Sequence, residues 1–374
     1  MKLLTLNVFL RMFSRNETPD FQEWLKKTQV KSAKKKIPLL LYQSEHNISK
    51  DHLKQLYEHI INRNEYLQRF FNTSLLVKDI HIKEEAMKKK HLDNNTLVNY
   101  KNIIRNIHYR DILQNTKSGL SGLPSFLDVL QDLYVNDIID YKILTPSALF
   151  YLENGRIGSV FSSFYFRASI MNPYLVFSLN QSVLDGTKIF TPTLGWSSYA
   201  YGFAECPKVI EYVGVDVIPA VCKKTSDLLR SQYPQLKYNI YCQPSESLLL
   251  NESFMTKYKN HFDVVFFSPP YYELELYPGK NQSTSVYKTY EEWLEGYWKR
   301  TIQLCFHVLQ KGGKLCYILS EGGGSKQSNI LKDMNAITTE IFSYKTIIPM
   351  YNKNVHVTSK HHHETSEKIV IFTR

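Results

Sequence analysis

The chain has 374 residues, 43% of them hydrophobic, and a formal net charge of +11. That length and apolar content fit one large or two medium domains with real cores and exclude a disordered chain. The basic excess, larger before residue 160 than after it, points to a polyanionic partner or to a solvated lysine-rich surface. No apolar run approaches a membrane span. The opening "MKLLTLNVFLRMFSRNE" meets Arg11 early and lacks a small-residue cleavage site, so it is taken as mature sequence. Cys206, Cys222, Cys242, Cys305 and Cys316 are scattered without a C-x-x-C pair, which argues against a zinc ribbon and for a reducing compartment. The expected setting is soluble and intracellular, in cytoplasm or nucleus.

The first 145 or so residues are expected to be mostly helical. In "HNISKDHLKQLYEHIINRNEYLQRFFN", Leu53, Leu56, Ile60 and Ile61 fall at helical spacing, followed by Tyr66 and Phe70, with Asn47 or Ser49 as the cap. "VKSAKKKIP" is expected to be a basic loop, and "AMKKKHLDNN" is a second basic patch. "SGLSGLPSF" carries turn chemistry ahead of the helical pattern "LDVLQDLYVNDIIDY".

From about residue 160 short apolar runs alternate with helical patterns. "TKIFTPT" (187–193), "EYVGVDV" (211–217), "KYNIYCQ" (237–243), "FDVVFFS" (262–268) and "KLCYILS" (314–320) are five expected strands, and "YKTIIPMY" and "KIVIFTR" are the last two. A long amphipathic helix is expected over 289–310, stopped by Gly312-Gly313. This order predicts an α/β fold with a doubly wound, mostly parallel sheet and an N-terminal mostly helical region. The expected division is 1–155 and 156–374. Ligands in such sheets bind beyond the carboxyl ends of the strands.

Gly195 follows the first strand, where a close backbone approach and a helix start suit a nucleotide-like ligand or a plain turn equally well. Asp216 ends the second strand about twenty residues later, a spacing that favours acceptance of both ribose hydroxyls over simple capping. Ser245 and Glu246 stand at a helix start after the third strand, as caps or as ligand contacts. The fourth strand runs into Ser268-Pro269-Pro270-Tyr271. The prolines fix φ and drive Ser268 to an extended conformation, leaving carbonyls as acceptors on a stiff segment. A serine oxygen beside a rigid carbonyl makes a fork for an NH2 group, and Tyr271 adds a face for a flat ring.

These residues resemble the amino-group nucleic-acid methyltransferases that use S-adenosylmethionine, the SPPY type acting on adenine N6 or cytosine N4. The resemblance covers roughly 160–374. "FRASI", "FTPTLGW", "VGVD", "QPSES", "SPPY" and "YYELELY" follow the order of that family's motifs, and "LQKGGKLCYIL" and "SEKIVIFTR" resemble the close of a class I methyltransferase fold. It implies S-adenosyl-L-methionine as cofactor, contacted by Arg167, Thr191, Pro192, Gly195, Asp216, Val217, Ser245, Glu246 and Ser268. It implies catalytic roles for Ser268, Pro269, Pro270 and Tyr271. Thr191 stands where the family usually has an acid, and Ser197 where it has a second glycine.

The expected activity is methyl transfer to the exocyclic amine of a base, adenine N6 ahead of cytosine N4, in DNA ahead of RNA. A non-catalytic nucleic-acid-binding or scaffolding subunit stays open, and so does an oligomeric contact through the N-terminal region. A protein-amide substrate is disfavoured by Ser268 and by the basic N-terminal region. "HHHE" (361–364) is expected to be a solvated loop and "EGGGS" (321–325) a loop beside the cleft. Arg167 is expected to touch cofactor or phosphate, and Trp293, Tyr297 and Trp298 to be core.

Overall fold

The computed structural model describes residues 1–33, 35–119, 122–320, 329–352 and 363–374. Its contacts divide the chain into two units: Leu3–Leu76 with Tyr109–Ala168, and Met1–Lys2 with Val77–His108 and Ser169–Arg374. The division therefore differs from the expected boundary at 155/156. Residues 77–108 go with the sheet because polar bonds far apart in sequence tie them there. Met87 N donates to Ser178 Oγ (3.0 Å), Tyr174 Oη to the Glu85 carbonyl (2.5 Å), and Asn172 Nδ2 to the Thr96 carbonyl (2.7 Å). Residues 156–168 go with the helical unit, where buried Phe161 meets the Tyr66 ring at 5.0 Å and Tyr165 donates to Asp140 (3.1 Å).

In the helical unit, Lys50–Ile61 buries Leu53, Leu56 and Ile60, and Arg63–Ser74 buries Tyr66, Leu67, Phe70 and Phe71. Ser49 caps the first by accepting from His52 N (3.1 Å). "VKSAKKKIP" is not a loop: Gln29–Ser32 and Lys35–Pro38 pair antiparallel, and Ile138–Asp140 adds in parallel to the first. Fully buried Val30 anchors it, while exposed Lys35 and Lys36 lie on an edge strand, where lysine discourages further pairing.

The second unit carries a seven-stranded sheet: β1 (Lys188–Thr191), β2 (Glu211–Asp216), β3 (Lys237–Cys242), β4 (Phe262–Phe267), β5 (Leu309–Ser320), β6 (Ser343–Asn352) and β7 (His363–Thr373). Their order is β6-β7-β5-β4-β1-β2-β3, with β7 antiparallel to both neighbours and parallel pairing from β5 through β3. This is the α/β, doubly wound class I methyltransferase sheet. Val264 to Phe267 are all buried, as expected of a central strand covered on both faces. β1 and β4 are neighbours, and the order reverses there. The crevice beyond their carboxyl ends is therefore the place for a ligand.

The segment 289–310 is not one helix. Tyr290–Trp293 leads through a π stretch, Leu294–Lys299, into Arg300–Val308. Gly312-Gly313 does not stop it either. The helix ends at Val308, β5 begins at Leu309, and both glycines lie where the pairing with β4 shifts register. "EGGGS" lies outside the described residues, as do the first two histidines of "HHHE"; His363 and Glu364 are on β7. Among the described residues no helix is long and apolar enough to cross a membrane.

Candidate active site

One cavity opens at the carboxyl ends of β1 to β4. Of the residues singled out in the sequence, Pro192, Gly195, Asp216, Val217, Ser245, Glu246, Ser268, Pro269, Pro270 and Tyr271 line it. Two do not. Thr191 is fully buried at the end of β1, and its hydroxyl is 2.6 Å from Tyr212 Oη, so its side chain is used within the sheet. Arg167 belongs to the helical unit, where it donates to the Ser162 carbonyl (3.0 Å) and lies over the Phe126 ring. Of "FRASI", only Ser169 and Ile170 reach this wall.

The turn after β1 is built around Gly195. Gly195, Trp196 and Ser197 have φ of 50°, 57° and 71°, three left-handed residues in succession. A Cβ at Gly195 would also sit 2.3 Å from the Tyr199 ring, so glycine is required twice over. Ser197 holds the conformation a second glycine would take more cheaply. Its hydroxyl is 2.8 Å from His108 Nε2 and 2.7 Å from Thr225 Oγ1. These bonds offset the cost of a serine at positive φ. Among the described residues, no protein acceptor meets the amides of Gly195, Trp196 and Ser197. They are available to an anionic group such as a carboxylate.

Asp216 at the end of β2 is fixed from two sides. Its Oδ2 accepts from Leu194 N (3.2 Å) and its Oδ1 from Ile218 N (3.0 Å). Burial pushes its carboxyl up to about 6, and these backbone bonds pull the other way. Glu246 is raised by burial and receives a bond from Tyr287 Oη (3.4 Å).

The Ser268-Pro269-Pro270-Tyr271 segment is held by Tyr199. Ser268 N donates to Tyr199 Oη (3.1 Å), and that hydroxyl donates back to the Ser268 carbonyl (3.3 Å). This corrects one expectation: the Ser268 carbonyl is engaged inside the protein. The acceptors left are the Ser268 hydroxyl, which stands beside the Tyr199 and Tyr271 phenols, and the Pro269 carbonyl, unbonded among the described residues. Among the described residues, Tyr271 Oη is buried without a partner of good geometry. Burial drives its phenol well above its ordinary range.

Sequence reasoning missed Tyr199, Glu275, Tyr277 and Tyr297 on this wall. Glu275, in "YYELELY", accepts from Ser169 N (2.9 Å) and from Tyr277 Oη (2.7 Å). Tyr297, expected as core, is buried but lines the cavity with a hydroxyl that is unpartnered among the described residues; Trp293 and Trp298 are core. The π stretch around Tyr297 has only Gly296 as a signal. The wall as a whole has four carboxylates, Asp216, Glu246, Glu275 and Glu367, and among the described residues no lysine, arginine or histidine. A chain of net charge +11 thus keeps one cavity acidic, which suits a cationic ligand.

No family model matches the sequence, and no curated protein matches it. Solved structures with a similar arrangement include TrmN from Thermus thermophilus (11% identity, 55% of this chain and 49% of that one, TM-score 0.35). A methyltransferase from Pyrococcus furiosus is similar at 14% identity, covering 54% and 83%, with a TM-score of 0.34. The N-methyltransferase NodS from Bradyrhizobium japonicum, in complex with S-adenosyl-L-homocysteine, is similar at 11%, covering 54% and 83%, with a TM-score of 0.32. Likenesses this distant carry no argument about activity. The class is defined by this chain's own strand order, a class I methyltransferase fold with an acidic cavity at its switch point.

Proposed function

We propose that the chain transfers a methyl group from S-adenosyl-L-methionine to the exocyclic amine of a base, adenine N6 ahead of cytosine N4, in DNA ahead of RNA. The observation that carries this reading is the meeting of Ser268-Pro269-Pro270-Tyr271, the Gly195 turn and Asp216 on one acidic wall beyond adjacent strands β1 and β4.

The residues present fit the cofactor. Asp216, oriented by two backbone amides, has lone pairs left for ribose hydroxyls. The amides of the Gly195 turn suit the methionine carboxylate, and the carboxylates of the wall suit its ammonium and sulfonium charges. Glu275 supplies an acid that the first motif lacks at Thr191. Ser245 and Glu246 continue the wall after β3. The cofactor, when bound, supplies an electrophilic methyl on sulfur.

The chain's own task is to make a poor nucleophile competent. The lone pair of an exocyclic amine is delocalised into its ring. Hydrogen bonds from the two N–H groups to Ser268 Oγ and the Pro269 carbonyl favour a more tetrahedral nitrogen. The prolines hold this fork rigid, and the two-way bond to Tyr199 fixes its first residue. Tyr271 offers a ring face that restrains the base. Placement of this kind supplies roughly 7–11 kcal/mol of a barrier in well-oriented systems. No thiolate is invoked: all five cysteines are free, and none lines the cavity.

The test is incubation with methyl-labelled S-adenosylmethionine and DNA, RNA or protein, with mass spectrometry of the product. Labelled N6-methyladenine or N4-methylcytosine is expected. Label in protein alone, or none with cofactor binding absent, would replace this reading by the amide or scaffold alternatives.

A further inference from the structure

A second cavity, of about 490 Å³, lies wholly within the helical unit. Its chemistry is the reverse of the first. Its wall carries Arg69, Arg156 and Arg167 with serine and threonine hydroxyls, and among the described residues it has no carboxylate. Among the described residues none of the three arginines has an ion-pair partner.

Each guanidinium is steadied on a ring rather than on an acid. The Arg69 Cζ lies 5.9 Å from the Tyr66 ring centroid, the Arg156 Cζ 5.4 Å from that of Tyr151, and the Arg167 Cζ 5.3 Å from that of Phe126. The start of the helix Ile157–Phe164 closes in on this group: a Cβ on Gly158 would stand 3.0 Å from Tyr66 Cε2 and 3.4 Å from Arg69 Nη2. A second, independent sign comes from Tyr66. The residue is 6% exposed, it lines the cavity, and among the described residues its hydroxyl has no hydrogen-bond partner. A buried donor left unmade is costly unless a ligand completes it. Three cations on a wall without acids, the hydroxyls of Ser159, Ser162 and Ser163, and an orphaned phenol together describe an oxyanion ligand.

We propose that Tyr66, Arg69, Arg156 and Arg167 form a phosphate-binding pocket for the backbone of a nucleic-acid strand. Arg167 is half-buried whereas Arg69 and Arg156 are exposed. One cation inside and two toward solvent follow a ligand that continues outward, as a strand does, better than a small anion engulfed whole. The choice of nucleic acid rests on the proposed function; the phosphate chemistry does not.

The experiment uses the full chain without S-adenosylmethionine and a fluorescently labelled single-stranded DNA oligonucleotide, with anisotropy followed over a potassium chloride series. R69Q/R156Q/R167Q is expected to weaken binding by about tenfold or more and to flatten the salt dependence by about two units of slope. R69Q/R156Q alters only exposed residues, so it keeps the test open if the triple variant fails to fold, with about one unit expected. K88Q/K89Q/K90Q removes the same charge from the basic run at 88–90 and is expected to have a smaller effect. Equal losses in the arginine and lysine variants, or an unchanged slope in the arginine variants, would overturn the pocket. Competition by inorganic phosphate as effective as by unlabelled oligonucleotide, at matched phosphate, would overturn its assignment to a strand. Calorimetry with S-adenosylmethionine separates the two readings. Arginine-dependent DNA binding without cofactor binding leaves the pocket and removes the methyltransferase. Methyl transfer with arginine variants that bind as wild type does the opposite.

Discussion

At the residue scale, Asp216 gives the sharpest pH prediction. Its folded-state carboxyl lies near 6, above the ordinary value near 4. The fold therefore binds the proton more tightly than the unfolded chain, and this residue's contribution to stability falls as pH rises from about 4 to 6. Under the proposed function cofactor affinity should run the other way, because an ionised carboxylate would accept ribose hydroxyls and attract the sulfonium. Calorimetry should show affinity rising with pH through about 6 and then levelling, and Asp216→Asn should bind more weakly and lose that step. Tyr271 separates ring from hydroxyl. Its Oη has no bond of good geometry to lose, so Tyr271→Phe should unfold within about 1 kcal/mol of wild type and retain transfer. Tyr271→Ala should cut transfer about 100-fold or more while S-adenosylmethionine still binds. These residues were legible because prolines and an aspartate at strand ends constrain local geometry. Tyr199 was not, because its partner, Ser268, is 69 positions away.

At the scale of elements, the strands were easy to find, since each is a short apolar run closed by a polar or proline residue. The turn after β1 was half legible. Gly195 signalled it, but the left-handed Trp196 and Ser197 gave no sequence sign, because what holds Ser197 is His108 and Thr225. Gly195→Ala should destabilise the fold by roughly 1–3 kcal/mol in urea titration, from positive φ and the encounter with Tyr199. It should also lower transfer, because Tyr199 is what fixes Ser268. The helix over 289–310 misled for a related reason. Helical spacing of apolar residues persists through a π stretch, whose extra residue is set by packing rather than by pattern.

For the whole molecule, sequence order concealed the division of the chain. A boundary at 155/156 would leave Phe161 and Tyr165 outside the unit whose core they complete. It would also strip the sheet unit of residues 77–108, which bond Ser178, Asn172 and Tyr174. A fragment of 156–374 should accordingly lose the sharp thermal transition of the full chain in circular dichroism. Net charge likewise hid its own distribution, an acidic cavity in one unit and an arginine-lined one in the other. The central claim is that Ser268-Pro269-Pro270-Tyr271 and the acidic cavity together methylate a base amine. Its most direct test is mass spectrometry of DNA after incubation with methyl-labelled S-adenosylmethionine and wild-type or Tyr271→Ala protein. Label on adenine N6 or cytosine N4 with wild type and its loss with the variant is the predicted result. Equal labelling by both proteins, or no labelled base with either, would contradict it.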